Sequence, residues 1–310
     1  MALHRLTHIT LGVPNVTETA QYYRDFGLAP LKAPEGTDEA TFSTRDGGEQ
    51  MRIVFAPLRR LVELRIGADD PDDLARIASS LVRLEIPVEQ NDAGLRTHDA
   101  GTAVNVVVEI AERLVQAETP SPPYNSPGLV TRADVRAPGV LREDAVQPRK
   151  LGHVVLGSTD KERSEQFFVD GLGFKVSDNV PGLAAFMRCS TDHHNVLVQQ
   201  TPVAFLHHTS WQLDDVDDVG RGASKMLEKD PSRHVWGLGR HHIGSNFFWY
   251  LRDPAGNFSE YYSDLDCIID DELWTPGTWE GARGLYNWGP PPPASFLAPD
   301  DLADLMAGSH

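Results

Sequence analysis

The sequence predicts an α+β protein built from tandem βαβββ modules. Three observations carry this: a weak internal duplication, short alternating apolar runs of strand length, and amphipathic stretches that follow acidic segments. Sliding the 310-residue chain on itself reveals the duplication at an offset of 145. His8-Ile9-Thr10-Leu11-Gly12 lies over His153-Val154-Val155-Leu156-Gly157, and Gln21-Tyr22-Tyr23-Arg24-Asp25 over Gln166-Phe167-Phe168-Val169-Asp170. Asp69-Asp70-Pro71-Asp72-Asp73-Leu74 likewise matches Asp214-Asp215-Val216-Asp217-Asp218-Val219. Three blocks at one offset favour a true duplication over coincidence.

Each half opens with a strand, near 6–12 and 151–157, followed by an amphipathic helix near 17–26 and 161–171 and a turn containing glycine. Runs such as Thr41 to Thr44, Met51 to Ala56 and Leu61 to Ile66 suit half-buried strands, and the acidic blocks open further helices near 72–84 and 217–229. The βαβββ pattern therefore recurs more than once per half. Thr119 to Pro127 and Arg136 to Pro148 are rich in proline or charge and mark the boundary between halves. The expected division is 1–135, 149–265 and a Trp- and Pro-rich tail over 266–310.

Composition narrows the function classes. Hydrophobic content of 40% and charged content of 24% are those of a soluble globular protein. Apolar runs are too short for a bilayer span, and Met1 to Gly12 lacks the regions of a signal peptide, so a cytoplasmic protein without membrane association is expected. A formal charge of -17 opposes nucleic-acid binding. Cys189 and Cys267 form neither a metal-binding nor a redox spacing and are expected to be reduced. There is no Gly-rich dinucleotide fingerprint after a strand.

The second half holds most of the histidines, near strand-like segments: His153, His193-His194, His207-His208 and His241-His242. A lone histidine on a strand is more often structural than a ligand, but their combination with a carboxylate changes the balance. Two imidazoles and one carboxylate from separate strands can occupy one face of an octahedral iron and leave the opposite positions open. His153 to His208 spans 55 residues and His208 to Glu260 spans 52, which suits one ligand per successive module. Side chains alternate along a strand, so only one of His207 and His208 is expected to face a metal.

Here the chain resembles the type I extradiol ring-cleavage dioxygenases of the vicinal oxygen chelate (glyoxalase/bleomycin resistance) superfamily. The resemblance rests on Leu151-Gly152-His153-Val154-Val155-Leu156, on Leu206-His207-His208, and on Gly239-Arg240-His241 followed by Phe248-Trp249-Tyr250, Asp253-Pro254-Ala255-Gly256-Asn257 and Glu260. It covers the second half to about residue 263, and the first half only as a fold. It implies two barrel-like domains, with Fe(II), or Mn(II), held by His153, His208 and Glu260. It also implies His194 as acid/base, with His193 as the alternative, and His241 and Tyr250 as the groups that position the diol. His207, His242 and His8 are left as structural. For Tyr250 the plainer reading is a half-buried aromatic of the Phe247-Phe248-Trp249-Tyr250 run.

The implied partners are a catechol-type substrate and O2, both atoms of which enter the product, and the implied assembly is a homo-oligomer. The duplication places His8 and Glu63 under the two histidine ligands and, approximately, Asn105 under Glu260, so the first half is expected to hold no metal. Phe186, Trp211, Phe248 and tail residues are expected around the substrate. Trp274, Trp279, Trp288 and Pro290 to Pro293 form either a flap or an outer packing segment, with the chain beyond 298 loose. A glyoxalase-like isomerase or transferase and a metal-free binding protein of the same fold are the rival functions.

Overall fold

A computed structural model describes residues 3–32, 38–91 and 93–308. The first half runs β1 (Leu3–Val13), α1 (Val16–Asp25), β2 (Ala29–Leu31), β3 (Ala40–Thr44), β4 (Gly48–Phe55), β5 (Arg60–Ala68), α2 (Pro71–Arg83), β6 (Val88–Asn91), β7 (Gly94–Asp99) and β8 (Val104–Ile110). The second repeats the order as β9 (Leu151–Ser158), α3 (Lys161–Gln166), β10 (Lys175–Val180), β11 (Ala184–Arg188), β12 (Val196–Gln200), β13 (Phe205–Gln212), α4 (Val216–Lys229), β14 (His234–Arg240), β15 (Phe247–Arg252) and β16 (Phe258–Ser263). α3 widens into a π-turn over Phe167–Leu172, so the expected helix at 161–171 is α only in its first part.

Local chemistry explains why the halves match. Asp70 accepts from the Asp73 N–H and Asp215 from the Asp218 N–H, so each repeated acidic block is a helix N-cap. Within each module the first strand lies parallel to the last: β1 with β4, β5 with β8, β9 with β12 and β13 with β16. The two modules of each half meet through antiparallel first strands, β1 with β5 and β9 with β13. The resulting sheets have the orders β2-β3-β4-β1-β5-β8-β7-β6 and β14-β15-β16-β13-β9-β12-β11-β10-β17, the last strand being a short piece of the tail, β17 (Gly277–Thr278).

Central strands are covered on both faces. Every residue of β9 and of β16 is buried, so His153 and Glu260 are enclosed on their strands and need partners for their polar atoms. One apolar core contains residues of both halves, including Tyr22 of α1 and Phe26 at its C-cap with Trp211 and Tyr261. Between β8 and β9 the chain is largely irregular. Arg149 anchors its end through Asp46, Thr119 and Asp214.

Register corrects one expected match. β5 and β13 carry the same bulge: pairing skips Val62 in the first and His207 in the second. Glu63 then pairs with Asn105, whereas its counterpart His208 pairs with Phe258. Asn105 therefore corresponds to Phe258, and the counterpart of Glu260 is Val107, two residues further on. An offset taken across Ala100-Gly101 misses the position because the turn before β8 differs in length from the one before β16. Glu63 is ion-paired with Arg65 at 2.6 Å and Arg96 at 3.4 Å.

The tail closes over the second sheet. β17 joins β10, α5 (Ala294–Leu297) brings Phe296 onto β14 and β15, and α6 (Leu302–Ala307) packs Leu305 against Val203 and Phe205. The end expected to be loose thus has a docked helix, further tied by the Arg59 guanidinium to Asp301 at 2.6 Å. Among the described residues no helix is long and apolar enough to cross a membrane.

Candidate metal centre

His153 stands on β9, His208 on β13 and Glu260 on β16, three strands adjacent in one sheet. The strand before His153 approaches Tyr262 closely: a Cβ on Gly152 would fall 2.1 Å from the Tyr262 hydroxyl oxygen, so glycine is required there. Glu260 is set by the turn that opens β16, where Asp253 accepts from the Ala255 and Asn257 N–H groups and Gly256 sits at φ +94°. From that start alternation sends Ser259 and Tyr261 to α1, and Glu260 to the other face.

The three side chains converge. Glu260 Oε2 lies 3.1 Å from His153 Nε2 and 3.5 Å from His208 Nε2. Among the described residues, these are the one group of three or more His, Cys, Asp or Glu whose ligand atoms all lie within 4.8 Å of one another. All three are buried, and both His208 Nε2 and Glu260 Oε2 lack a hydrogen-bond partner. Buried polar atoms left unpaired are costly, and a divalent cation at their common point would satisfy them. The donor set therefore fits iron(II) or manganese(II).

Electrostatics favour the same state. Burial lowers the His208 imidazole well below its ordinary value, the neighbouring His207 adds to this, and the neutral ring offers a lone pair. Burial alone would raise the Glu260 carboxyl. The close approach of the His153 and His241 imidazoles, with charge from His153 and His208, outweighs it and holds the group well below the usual carboxylate range.

Around this point the expected catalytic groups are also brought together. The His194 ring is 4.2 Å from that of His153, between centroids, and burial lowers its imidazole well below the ordinary value. His241 Nε2 is 2.9 Å from the Tyr250 hydroxyl and 3.6 Å from Glu260 Oε1. Burial raises the Tyr250 phenol well above its ordinary value, so it remains a donor. Between the two candidates for the acid/base position, His194 borders the cavity beside His153, and His193 lies behind it against Asp178.

Sequence reasoning missed Asn246, whose amide donates to Glu260 Oε1 at 3.1 Å. It also missed Asp178 and the tail carbonyls. His207 Nε2 lies 2.7 Å from the Phe296 carbonyl oxygen, and His241 Nδ1 lies 2.5 Å from that of Leu285. No local pattern signals such contacts, since their partners are distant in sequence. His207 borders the same cavity as His208, because the bulge relaxes strict alternation.

A cavity of about 700 Å³ opens beside His153 and His208. Val155, Phe186, Leu197 and Ile243 form an apolar cluster of their own along it, packed against Val180 and Trp279. Of the aromatics expected there, Phe186 lines the space. Trp211 instead belongs to the main core, because its position on β13 faces the helices, and Phe248 lies behind His241 with its ring stacked at 4.1 Å. Of the tail tryptophans only Trp279 lines the cavity. Trp274 donates to the Ser177 carbonyl, and Trp288 is 44% exposed.

A family model described as the Glyoxalase/Bleomycin resistance protein/Dioxygenase superfamily matches residues 150–261. Metapyrocatechase 2 of Cupriavidus necator is 30% identical over 307 residues, covering 96% of this chain and 92% of that protein. A manganese-dependent 2,3-dihydroxybiphenyl 1,2-dioxygenase of Geobacillus genomosp. 3 is 32% identical over 301 residues, covering 91% of this chain and 93% of that protein. Among solved structures, the Mn(II)-bound glyoxalase from Novosphingobium aromaticivorans superposes with a TM-score of 0.74 at 25% identity, covering 94% and 93% of the two chains. The chain, with its paired βαβββ modules and convergent His, His and Glu, belongs to the type I extradiol dioxygenases of the vicinal oxygen chelate superfamily.

Proposed function

We propose that this chain opens the ring of a catechol beside its two hydroxyls, with both atoms of O2 entering the product, and that His153, His208 and Glu260 hold the iron(II) or manganese(II) it needs. The observation that carries this is the approach of two imidazole Nε2 atoms to one buried, unpaired carboxylate oxygen at the end of an apolar cavity. A metal held there would supply open positions that bring diol and dioxygen together and carry electron density between them.

The protein's own groups then manage position and protons. His194, kept neutral by burial, accepts a proton from a catechol hydroxyl and returns it later in the reaction. Tyr250, kept protonated, gives its O–H to His241 Nε2 in the free protein and turns it to charge that develops on the diol, while His241, held through Nδ1–H by the Leu285 carbonyl, orients that phenol. The apolar wall excludes water and holds the ring.

Neither lysine nor arginine lines the cavity among the described residues, so a diol with a neutral, apolar substituent fits better than one carrying a carboxylate. The test is anaerobic loading with iron(II) or manganese(II), then oxygen uptake against a panel of catechols. Uptake matched one-to-one by a new visible chromophore, and lost in His153→Ala, is expected. A filled metal site with no uptake for any diol would instead favour the isomerase chemistry suggested by the solved glyoxalase.

A further inference from the structure

Two of the three adjacent-histidine pairs share one construction. In the first, His193 Nε2 lies 3.2 Å from Asp178 Oδ2, and His193 Nδ1 lies 3.1 Å from His194 Nδ1. In the second, His207 Nε2 lies 2.7 Å from the Phe296 carbonyl oxygen, and His207 Nδ1 lies 2.7 Å from His208 Nδ1. In both pairs the outer ring is fully or almost fully buried, and its far nitrogen meets an oxygen that only accepts.

Hydrogen-bond accounting then leaves one arrangement for neutral rings. An oxygen that only accepts requires Nε2–H on the outer histidine, which leaves Nδ1 of that ring as the acceptor. The inner ring must therefore carry its proton on Nδ1 and point a bare Nε2 lone pair forward. For His208 that lone pair faces Glu260 and the metal position, and for His194 it belongs to the ring that lies tilted by 43° beside that of His153.

We propose that His193 with Asp178, and His207 with the Phe296 carbonyl, are positioning groups that lock His194 and His208 in the Nδ1–H tautomer. The lock readies one ring as a proton acceptor and the other as a ligand. It adds residues outside the expected site, and it makes the C-terminal tail a working part of the centre. Phe296 supplies one anchor, and the Gly277 N–H donates to the other oxygen of Asp178.

That Gly277 contact makes Asp178→Asn a directed test. An amide at this position must offer its oxygen to the Gly277 N–H, which turns its NH2 toward His193 Nε2. His193 is then forced to carry its proton on Nδ1 and to donate it to His194, whose own proton moves to Nε2. The inner ring has lost its forward lone pair with no change of size or burial.

The inference rests on the proposed function for its purpose, but its tests do not need turnover. Histidine-labelled protein loaded with diamagnetic zinc(II) is examined by ring nitrogen NMR, with His194 assigned by the signal lost in His194→Asn. His194 is expected as Nδ1–H in the parent and Nε2–H in Asp178→Asn. Nε2–H in the parent, or no change in the variant, would overturn the proposal for this pair whether or not any diol is cleaved.

For the second pair the readout is metal affinity by chelator competition. His207→Leu is expected to lose about 10- to 100-fold, the range for removing a group that orients a metal-bound histidine. His207→Gln, whose amide can accept from His208 and donate to Phe296, is expected to stay within about threefold of the parent. Equal losses in the two variants would show that His207 only packs. If oxygen is consumed, Asp178→Asn should lower kcat by about 100-fold or more with KM and metal content little changed, as for other catalytic histidines held in the wrong tautomer.

Discussion

The rings of Phe26 and Tyr261 stack at 3.9 Å between centroids, 12° from parallel. One belongs to the first half and the other to β16, next to Glu260. The Tyr261 hydroxyl donates to the Phe26 carbonyl at 2.7 Å, and Tyr22 reaches Ser259 at 2.5 Å. The strand that carries Glu260 is therefore backed by the first helix of the first half and the residue that caps it. Phe26→Ala should cost about 3–5 kcal/mol of stability, the range for deleting a buried aromatic ring. We expect one cooperative unfolding transition in the parent. A fragment of residues 149–310 alone should expose Tyr261 and fail to bind metal. A soluble fragment with parental metal affinity would show that the second half stands on its own.

Asn246 reaches the centre from the loop between β14 and β15. Its donation to Glu260 Oε1 leaves Oε2 as the oxygen that faces both imidazoles. Asn246→Leu removes the donor and leaves Oε1 paired only with more distant groups. Metal affinity should fall about 10- to 100-fold, measured by chelator competition, while Asn246→Gln should recover part of the loss. Unchanged affinity in Asn246→Leu would mean that the strand alone fixes the carboxylate.

What was legible in the sequence follows from which interactions leave a local trace. The duplicated acidic blocks cap helices, and a cap is a contact within one turn of chain, so α2 and α4 were readable at Asp70 and Asp215. His153, His208 and Glu260 were readable from the histidine cluster and from the short motifs beside them, Leu151-Gly152, Leu206-His207 and the Asp253-Pro254-Ala255-Gly256-Asn257 turn, on which the family resemblance rests. Asp178, Asn246, Leu285 and Phe296 left no such trace, since each acts across a long stretch of chain through a single side-chain or carbonyl contact. Register was the other limit. A bulge at His207 and a change of turn length before β8 both shift the pattern by a residue or two, enough to put Asn105 where Val107 stands.

Asp253 links the opening turn of β16 to acid stability. Burial pushes its carboxyl up to about 6, against an ordinary 3.8, although its hydrogen bonds from Asn257 pull the other way. The folded state therefore holds this proton more tightly than the unfolded chain does. The resulting contribution is fully present below about pH 4 and is lost as pH rises through about 6. Asp253→Asn has no such charge to bury and can keep the oxygen that accepts from Ala255 and Asn257. Relative to the parent, its stability should improve by up to about 3 kcal/mol between pH 4 and pH 7, measured by denaturant titration at each pH. A difference that stays constant over that window would place the titrating proton elsewhere.

The apolar wall makes the choice of diol a matter of charge. Val155, Phe186, Leu197 and Ile243 face the cavity, Val180 and Trp279 extend them, and Glu280, also in the lining, adds negative charge. A carboxylate placed against this surface would lose hydration without gaining a cation, whereas an apolar ring would gain about 25 cal/mol for each Å² removed from water. A neutral 3-phenylcatechol should therefore exceed 3,4-dihydroxyphenylacetate in kcat/KM by at least about 100-fold. Val180 is half-buried, so Val180→Arg can place a guanidinium at the wall without burying it wholly. That variant should narrow the ratio by raising the rate with the acid and lowering it with the neutral diol. If the parent prefers the acid, the cavity wall does not select the substrate, and a cation outside the lining must do so.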